Sequence, residues 1–414
     1  MIEGKILKYY REKQGYTQDQ LSRGVCSVTH LSKIERGITE YSGEIITLLS
    51  KKLEINFQDE VRNFNRFKET LEEWKNAIVM LDTENMKVKK AELDANLLKD
   101  FPDFQVRYSL LLARHYLILY ENEKCHKVMQ KIKKLDISLS PYESNLYKHV
   151  QGICYFSIGN YKDSIEVLKK IDSSYSSEEY YYHLAISYHA VHDNTLAYYY
   201  AQKALRYFQE TLNFTRILDT ESLIILQLNA KSQFSLKETR SYYDKLIQSA
   251  KKIQSADRLT KLYFNLGQEL FRRKHFREAK EYFDKGLTLL KEEDFLYLTM
   301  LDLYIDICYK GNLKSKEDLL FDAKKGLHLA QKRNDQSYLF FHLHVLLLNG
   351  EENSYYDYVE NKVLPYFIQS GNEDLIQHFE VKLFRYYIKS EQNEKAWALA
   401  KKKMLAEMSY YEMD

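Results

Sequence analysis

The feature that most constrains this chain is a helical sequence pattern that repeats along most of its length. Three segments align so that Leu246, Gly286 and Gly326 occupy equivalent, evenly spaced positions. Further upstream, Ile171 and Ala204 occupy the same kind of position at a slightly shorter interval. Repeats of roughly 40 residues with helical periodicity predict pairs of helices stacked into a solenoid. Only three prolines and thirteen glycines occur in 414 residues, which also favours an all-α fold with long helices.

Small residues occur within these repeats where two helices of a pair must approach closely. The segments concerned are Gly152-x-x-Tyr155, Leu184-Ala185-x-x-Tyr188 and Leu266-Gly267-x-x-Leu270. This pattern resembles the tetratricopeptide repeat (TPR), which implies a right-handed superhelical solenoid. With roughly 34–42 residues per repeat, about eight or nine repeats fit into residues 67–414.

Near the N-terminus the pattern differs, because two short capped helices are joined by a glycine turn. The hydroxyl of Thr17 can cap a helix over Gln18–Arg23, and Ser27 can cap a second helix over Val28–Glu35. Gly24 suits the turn between them. This arrangement predicts a helix-turn-helix, in which the second helix presents polar side chains to the base edges of the major groove.

Three further helices are expected to complete the N-terminal domain. We predict them over Ile2–Lys13, over Gly43–Leu53 after a cap at Ser42, and from Gln58 onward. No Gly-, Ser- or Pro-rich tether follows, so the last of these helices is expected to connect the domain to the repeats. We therefore predict a helix-turn-helix domain over residues 1–66, including the start of this linker helix, and a TPR domain over residues 67–414.

The helix-turn-helix stretch resembles the Xre/Cro-type repressor domain. The resemblance rests on Thr17-Gln18-x-x-Leu21 and on Ser32-Lys33-Ile34-Glu35-Arg36-Gly37. Two short capped helices also occur in many other all-α proteins, so the resemblance carries the prediction of DNA binding. It implies a buried pair between Arg11 of the first helix and Glu35 at the end of the recognition helix. The residues expected to contact DNA are Thr17, Gln18, Ser27, Val28, Thr29, His30, Lys33 and Arg36.

The charge of the chain does not by itself indicate nucleic-acid binding. The formal net charge is +2, and residues 1–60 contain nine basic and nine acidic residues. Affinity for DNA phosphates depends on whether one face of the domain carries Arg23, Lys33 and Arg36 together. A dimer would present twice as many of these basic side chains. DNA binding is therefore compatible with this balance of charge.

The sequence offers little support for other classes of function. The four cysteines are Cys26, Cys125, Cys154 and Cys308. They have no paired spacing, so we expect reduced thiols in a cytosolic protein. The helix-turn-helix domain starts without a signal peptide and the apolar runs are short, so we expect a cytoplasmic protein with no membrane partner.

No pattern in the sequence indicates an enzyme, a cofactor or a metal. There is no phosphate-binding glycine loop, no nucleophile elbow and no Cys/His dyad. His342-x-His344 lies in an apolar segment without a partnering cysteine or acidic pair, so we interpret these residues as satisfied core or surface histidines.

The first helix of each repeat is expected to line a concave face. Residues three before, one after and four after the small position point to that face, and the residue two before it lies at the rim. The positions selected in this way are Phe264, Asn265, Gln268 and Phe271 in one repeat, Tyr182, His183 and His189 in a second, and His149 in a third. Amides, imidazoles and aromatic rings with little net charge suit an extended peptide.

Asn265 is the strongest candidate among these positions. Peptide-binding TPR proteins commonly hold the ligand backbone with an asparagine at this position, and the chain resembles them there. The alternative, left open, is that Asn265 bonds only within the solenoid. For Phe264 and Tyr182, packing between repeats is the preferred interpretation.

An Xre/Cro-type domain followed by TPR sequence over the rest of the chain resembles the RRNPP family of Gram-positive bacteria, which includes Rap, Rgg, NprR, PlcR and PrgX. The chain is most similar to NprR-like or PlcR-like members; by length and period it resembles the NprR-like ones, since it is longer than PlcR or Rgg. The resemblance implies a cytoplasmic, homodimeric, quorum-sensing transcriptional regulator. A short secreted and re-imported signalling peptide would bind the concave face and change the affinity for double-stranded operator DNA.

Two alternatives of other classes remain at this stage. In the first, the TPR domain binds or dephosphorylates a response regulator, as Rap proteins do. That activity needs a side-chain amide or acid aimed at a phosphoaspartate, and none can be identified from the sequence. In the second, the chain is a constitutive repressor whose TPR domain only dimerises.

Overall fold

The computed structural model describes residues 2–39, 41–135, 138–230, 234–370 and 372–411. Throughout these ranges the regular structure is helical, which confirms the predicted all-α fold. The chain divides into two compact units, Met1–Gln233 (unit 1) and Phe234–Asp414 (unit 2). The sequence did not predict this division, and residue 66, the predicted end of the N-terminal domain, lies inside a continuous helix of unit 1.

Five helices form the N-terminal part of unit 1. They are α1 Ile2–Lys13, α2 Gln18–Ser22, α3 Val28–Glu35, α4 Gly43–Lys52 and α5 Phe57–Met80. The side-chain oxygens of Thr17, Ser27 and Ser42 each accept a hydrogen bond from the backbone N–H three residues later, as the sequence predicts. Thr17 and Gln20 form a complete capping box. α2 and α4 each end one residue before the predicted position.

The helix-turn-helix is held together by one small apolar core. Its buried side chains include Leu7, Leu21, Leu31, Ile34 and Leu49, and Val25 packs against them. The turn between α2 and α3 contains Gly24 at a φ of +75°, a conformation that favours glycine. The core therefore fixes α3 against α1, α2 and α4.

Eight more helices complete unit 1. They are α6 Thr83–Asp94, α7 Pro102–Ile118, α8 Asn122–Lys133, α9 Pro141–Ser157, α10 Tyr161–Lys169, α11 Tyr180–Ala190, α12 Asn194–Glu210 and α13 Phe214–Ala230, with a 3-10 turn over Leu97–Asp100. Each of α5, α7, α9 and α11 packs on the helix that follows it, so α5 to α12 form four helix pairs.

The N-terminal domain packs on the first repeats of unit 1. Ile6 of α1 shares an apolar cluster with Phe64 and Phe67 of α5 and with Phe101. The hydroxyl of Tyr9 donates a hydrogen bond of 3.1 Å to the backbone oxygen of Leu97 in the 3-10 turn. The domain is therefore held by side-chain contacts in addition to its covalent connection through α5.

Unit 2 contains ten helices within the described ranges. They are α14 Leu236–Lys252, α15 Ala256–Arg272, α16 Phe276–Leu289, α17 Phe295–Lys310, α18 Lys316–Lys332, α19 Tyr338–Asn349, α20 Glu352–Tyr358, α21 Leu364–Ser370, α22 Glu373–Lys389 and α23 Asn393–Tyr411, with a π-helical turn over Val359–Val363. None of the helices in the described ranges of the chain is long and apolar enough to cross a bilayer.

Two glycines identified in the sequence lie where the helices of one pair approach closely. A Cβ atom on Gly152 would lie 2.5 Å from Leu168 Cδ2, and one on Gly267 would lie 2.6 Å from the ring of Phe283. Both contacts join the two helices of a pair. A larger residue would require the side chain of Leu168 or Phe283 to move, so each glycine leaves the space that a packed side chain of the partner helix fills.

Gly4 has the same role in the N-terminal domain, and its substitution provides a test. A Cβ atom there would lie 2.0 Å from the backbone oxygen of Ile34, so we expect Gly4→Ala to push α1 away from α3. The expected cost is about 1–3 kcal/mol, as for other overpacked sites. Hydrogen exchange of the α1 and α3 amides in the full chain should become faster. Gly43→Ala is the matched control, because nothing lies within 4 Å of a Cβ atom there; equal protection in the two variants would contradict this prediction.

Candidate functional site

α3 buries one face and exposes the other. Leu31 and Ile34 are fully buried in the core of the domain. The exposed predicted DNA contacts are Thr17, Ser27, Val28, Thr29, Lys33 and Arg36. Short polar side chains and two cations therefore project from α3 and the residues that flank it, which is the composition needed to contact base edges and phosphates.

The other two predicted DNA contacts, Gln18 and His30, are half-buried. Gln18 Nε2 donates a hydrogen bond of 2.7 Å to Glu35 Oε2, so its amide is used inside the domain. His30 Nε2 is buried and has no hydrogen-bond partner among the described residues. Sequence spacing did not distinguish these two residues from the exposed ones, and their contact with DNA stays a prediction.

A buried ion pair connects α1 to the end of α3. Arg11 Nε donates to Glu35 Oε1 at 2.6 Å, and Arg11 Nη2 donates to Glu35 Oε2 at 3.0 Å. Only 10% of the Arg11 side chain and 1% of the Glu35 side chain are exposed. Hydrogen bonding to Glu35 raises the pKa of Arg11. Two parallel hydrogen bonds fix the direction of both side chains, so the pair orients α3 relative to α1.

We call α7, α9, α11 and α13 the A helices of unit 1, and they contain a buried charged network instead of an open face. Glu179, just before α11, accepts hydrogen bonds from Arg114 Nη2 at 2.7 Å and from Arg216 Nη2 at 3.2 Å. His149 Nε2 and His183 Nδ1 lie 2.9 Å apart and share a hydrogen bond. All five residues are buried, and each of the four helices contributes to the network.

Burial and charge together set the protonation states in this network. Burial favours the protonated form of Glu179, but the charges of Arg114 and Arg216 outweigh it and lower the pKa of Glu179. Burial lowers the pKa of His149 to about 3 and lowers the pKa of His183 well below its usual value. Near neutral pH, both histidines are therefore uncharged and Glu179 is ionised.

These positions correct part of the peptide-site prediction in unit 1. His149 and His183 do not line an open face, because the packing of α7, α11 and α13 buries them. Tyr182 is half-buried, and its ring centroid lies 4.7 Å from Arg216 Cζ, which agrees with a packing role. His189 is also half-buried, with Nδ1 2.9 Å from Gln227 Nε2.

The predicted residues of unit 2, Phe264, Asn265, Gln268 and Phe271, are all half-buried on α15. The ring of Phe264 lies 5.8 Å from the ring of Phe283, which supports packing between helices. Asn265 takes part in an interaction within the chain. Its predicted role in ligand binding stays a prediction. Gln268 and Phe271 stay candidates for ligand contact.

We call α15, α17, α19 and α22 the A helices of unit 2, and sequence reasoning missed charged residues on them. Asp302 and Asp306 of α17 occupy the positions that Phe264 and Gln268 hold in the preceding repeat. His344 of α19 occupies the position of Asp306 in the repeat after that. Extending the inward positions beyond the most regular repeat would have identified all three. His344 Nε2 lies 2.7 Å from Asp302 Oδ1, so this histidine has an acidic partner that is distant in the sequence.

We call Asp302, Asp306, Lys310 and His344 the charged strip of unit 2. Lys310 Nζ donates to Asp306 Oδ2 at 2.7 Å and lies 5.0 Å from the ring centroid of Phe271, which connects the strip to α15. The side chains of Asp302, Asp306 and Lys310 are 24%, 29% and 51% exposed. Such partly exposed ion pairs can exchange their intrachain partners for polar or charged groups of a ligand.

Lys382 of α22 adds a further cation near this strip. Burial lowers the pKa of Lys382, and the carboxylates of Asp306 and Asp302 oppose that effect. Its Nζ donates a hydrogen bond of 3.3 Å to the hydroxyl of Tyr355. The A helices of unit 2 thus combine carboxylates, ammonium groups and aromatic rings on one surface.

Comparison with known proteins agrees with this architecture. A helix-turn-helix family model, HTH_3, matches residues 7–59. The chain is 24% identical over 393 residues to the transcriptional activator NprA of Geobacillus stearothermophilus, and the match covers 88% of this chain and 94% of NprA. The chain contains a helix-turn-helix DNA-binding domain and a TPR-like helical body.

Solved structures show the same fold. The apo form of the quorum sensor NprR from B. thuringiensis is 22% identical, covers 81% of this chain and 97% of its own, and has a TM-score of 0.63. NprR in complex with its peptide NprX also has a TM-score of 0.63, at 22% identity and with 82% of this chain and 99% of its own covered. A Rap protein complexed with Competence and Sporulation Factor has a TM-score of 0.64, at 17% identity and with 84% and 99% covered. The fold implied by the RRNPP resemblance is therefore confirmed.

The buried histidines of unit 1 predict a loss of stability in mild acid. As the pH falls below about 6.5, His149 and His183 bind protons in the unfolded chain but not in the folded chain, so the free energy of unfolding decreases. Each histidine contributes up to about 1.4 kcal/mol per pH unit. His149→Gln should reduce this slope in urea unfolding between pH 7.5 and 5. The same substitution at exposed His126 is the control; an unchanged slope in His149→Gln would show that His149 does not stay neutral in the fold.

Proposed function

We propose that this chain is a cytoplasmic transcriptional regulator that binds operator DNA through α3 and is controlled by a short signalling peptide bound on unit 2. The observation that carries the first part is the exposed polar face of α3, oriented by the buried Arg11–Glu35 pair. The similarity to the activator NprA supports the same function. In this proposal the chain is a regulator that binds DNA and a peptide, and its function requires neither catalysis nor a cofactor.

The geometry supports docking of α3 in the major groove. Val28 and Thr29 at its start can contact base edges, while Lys33 and Arg36 near its end can pair with phosphates. A single domain of this size makes few phosphate contacts, and its formal charge is balanced. We therefore propose a homodimer, in which two copies of α3 occupy half-sites about 34–36 Å apart or a multiple of that.

The peptide site is proposed on the A helices of unit 2. In unit 1 the A helices are filled by the Glu179 network, whereas in unit 2 they carry the partly exposed charged strip beside Gln268 and Phe271. Asn265 lies on the same helix as these two residues. An amide, aromatic rings and charged groups on one surface suit both the backbone and the side chains of an extended peptide. NprR, which shares the fold, has been solved with its peptide NprX.

Control by a peptide requires two states of the protein that bind it with different affinity. A ligand shifts an equilibrium only by the difference in its binding free energy for those states. The states can differ in conformation or in the association of two chains. A response-regulator platform and a constitutive repressor are the alternatives that peptide-binding experiments address.

Substitutions on α3 test the DNA-binding proposal. Lys33→Ala should weaken binding to a duplex selected from a random library. It should also reduce the slope of log affinity against log salt concentration by about one per chain, because one phosphate contact is lost. Thr29→Ala should reduce discrimination between the selected and a scrambled duplex by about 1–3 kcal/mol, because a contact with a base edge is lost. Fluorescence anisotropy at several salt concentrations measures both effects.

The control for this experiment is Lys8→Ala, which removes an exposed lysine of α1. It should leave affinity and salt dependence close to those of the unmodified chain. Equal losses of affinity in Lys8→Ala and Lys33→Ala would mean that the two lysines attract DNA only through their charge, without a defined binding surface. Unchanged affinity in Lys33→Ala would rule out the proposed role of α3.

Peptide control is tested by calorimetric titration of the full chain with short peptides encoded next to its gene. We expect one peptide per chain and a loss of binding in Asn265→Ala, because a backbone partner of the peptide is removed. Exposed Asn361, outside the A helices, provides the matched control Asn361→Ala. If no such peptide binds while the operator binds tightly, the constitutive repressor or the response-regulator platform becomes the better proposal.

A further inference from the structure

Two cysteines that are distant in the sequence contact each other in unit 1. Cys125 Sγ lies 3.0 Å from Cys154 Sγ, although the residues are separated by 29 positions. Cys125 belongs to α8, the second helix of its pair, and Cys154 belongs to α9, the first helix of the next pair. Both thiols are reduced in this structure. The spacing of cysteines in the sequence did not indicate this contact.

The two thiols differ in their access to solvent. Cys125 is 1% exposed and belongs to an apolar cluster with Met129 and Ile132, whereas Cys154 is half-buried at the edge of that cluster. A small solute can therefore reach Cys154 more easily than Cys125. The other cysteines lie elsewhere: Cys26 in the turn between α2 and α3, and Cys308 within α17 of unit 2.

We propose that Cys125 and Cys154 form a modification site, which a peroxide converts into an intrachain disulfide. The sulfur atoms need to approach by only about 1 Å to reach the usual bond length of about 2.05 Å. Cys154 is the more accessible thiol, and the hydrogen bond between the two thiols lowers the pKa of Cys125 and raises that of Cys154. The pair thus combines access with a thiol that ionises more readily, as redox-responsive pairs do. The site goes beyond the proposed regulation by peptide and does not depend on it.

The reaction is balanced in two steps. The thiolate of one cysteine of the pair attacks hydrogen peroxide, the O–O bond breaks, and the products are a sulfenic acid on that cysteine and hydroxide. The thiolate of the other cysteine then attacks the sulfenic sulfur, the S–O bond breaks, hydroxide leaves, and the S–S bond forms. Two thiols and one peroxide thus give one disulfide and two waters, and the peroxide is the two-electron oxidant.

The bond would join two neighbouring helix pairs. α9 also carries Gly152, which contacts Leu168 of α10, and His149 of the buried network. A covalent connection between α8 and α9 therefore holds the packing around both residues in place. It also restricts the unfolded chain, so we expect the disulfide to stabilise unit 1.

The test is treatment of the full chain with hydrogen peroxide, followed by alkylation of free thiols and peptide mapping by mass spectrometry. We expect two of the four thiols to become unreactive and one cross-linked peptide to join Cys125 to Cys154. Oxidised chain should also unfold at a higher temperature than reduced chain. Persistent alkylation of both cysteines, or cross-links to Cys26 or Cys308 in similar amounts, would overturn the proposal.

Single substitutions separate this chemistry from general damage. Cys154→Ser should abolish the cross-link and the shift in unfolding temperature. Cys125→Ser should leave a sulfenic acid on Cys154, which dimedone traps and mass spectrometry detects. Cys308→Ser should retain the cross-link. A cross-link that survives in Cys154→Ser, or an unfolding temperature that does not rise on oxidation of the unmodified chain, would show that the pair does not act as proposed.

Discussion

Close helix contact at positions without a side chain is the constraint on which the rest of this structure depends. Gly4 lets α1 approach the backbone of α3, Gly152 lets α9 approach Leu168, and Gly267 lets α15 approach Phe283. In each case a Cβ atom would overlap with an atom of the neighbouring helix. At Gly4 that atom is a backbone oxygen, so the contact limits the distance between α1 and α3 directly. At Gly152 and Gly267 it belongs to a side chain of the partner helix, which fills the space that the glycine leaves.

Buried ion pairs then select among the arrangements that such packing allows. Arg11 and Glu35 orient α3, and Glu179 joins Arg114 to Arg216 across the A helices of unit 1. Removing charged groups from water is costly, so pairs of this kind contribute less to stability than their short distances suggest. Their effect is directional, since any arrangement that separates the partners leaves a charge buried without compensation.

Charged side chains are buried on the A helices of unit 1 and partly exposed on those of unit 2. In unit 1, the Arg11–Glu35 pair presents the polar face of α3, while the Glu179 network occupies the A helices. In unit 2, the A helices keep partly exposed carboxylates and lysines beside Phe271. This difference in exposure is the reason why the peptide site is proposed on unit 2 and not on unit 1. Sensing and DNA contact are thus proposed for different compact units.

Sequence alone determined the features that depend on neighbours within one helix or one turn. Thr17 and Ser27 cap α2 and α3 through hydrogen bonds to residues three positions later, and the small positions follow from the period of the repeats. Tertiary structure decided which inward residues stay accessible, because helical periodicity identifies a face but not what packs against it. The contacts of His149 with His183 and of Cys125 with Cys154 bring together residues from different helices, and their burial follows from the packing of those helices. The division of the chain into two compact units likewise depends on which helices pack together, and the repeat pattern does not specify this.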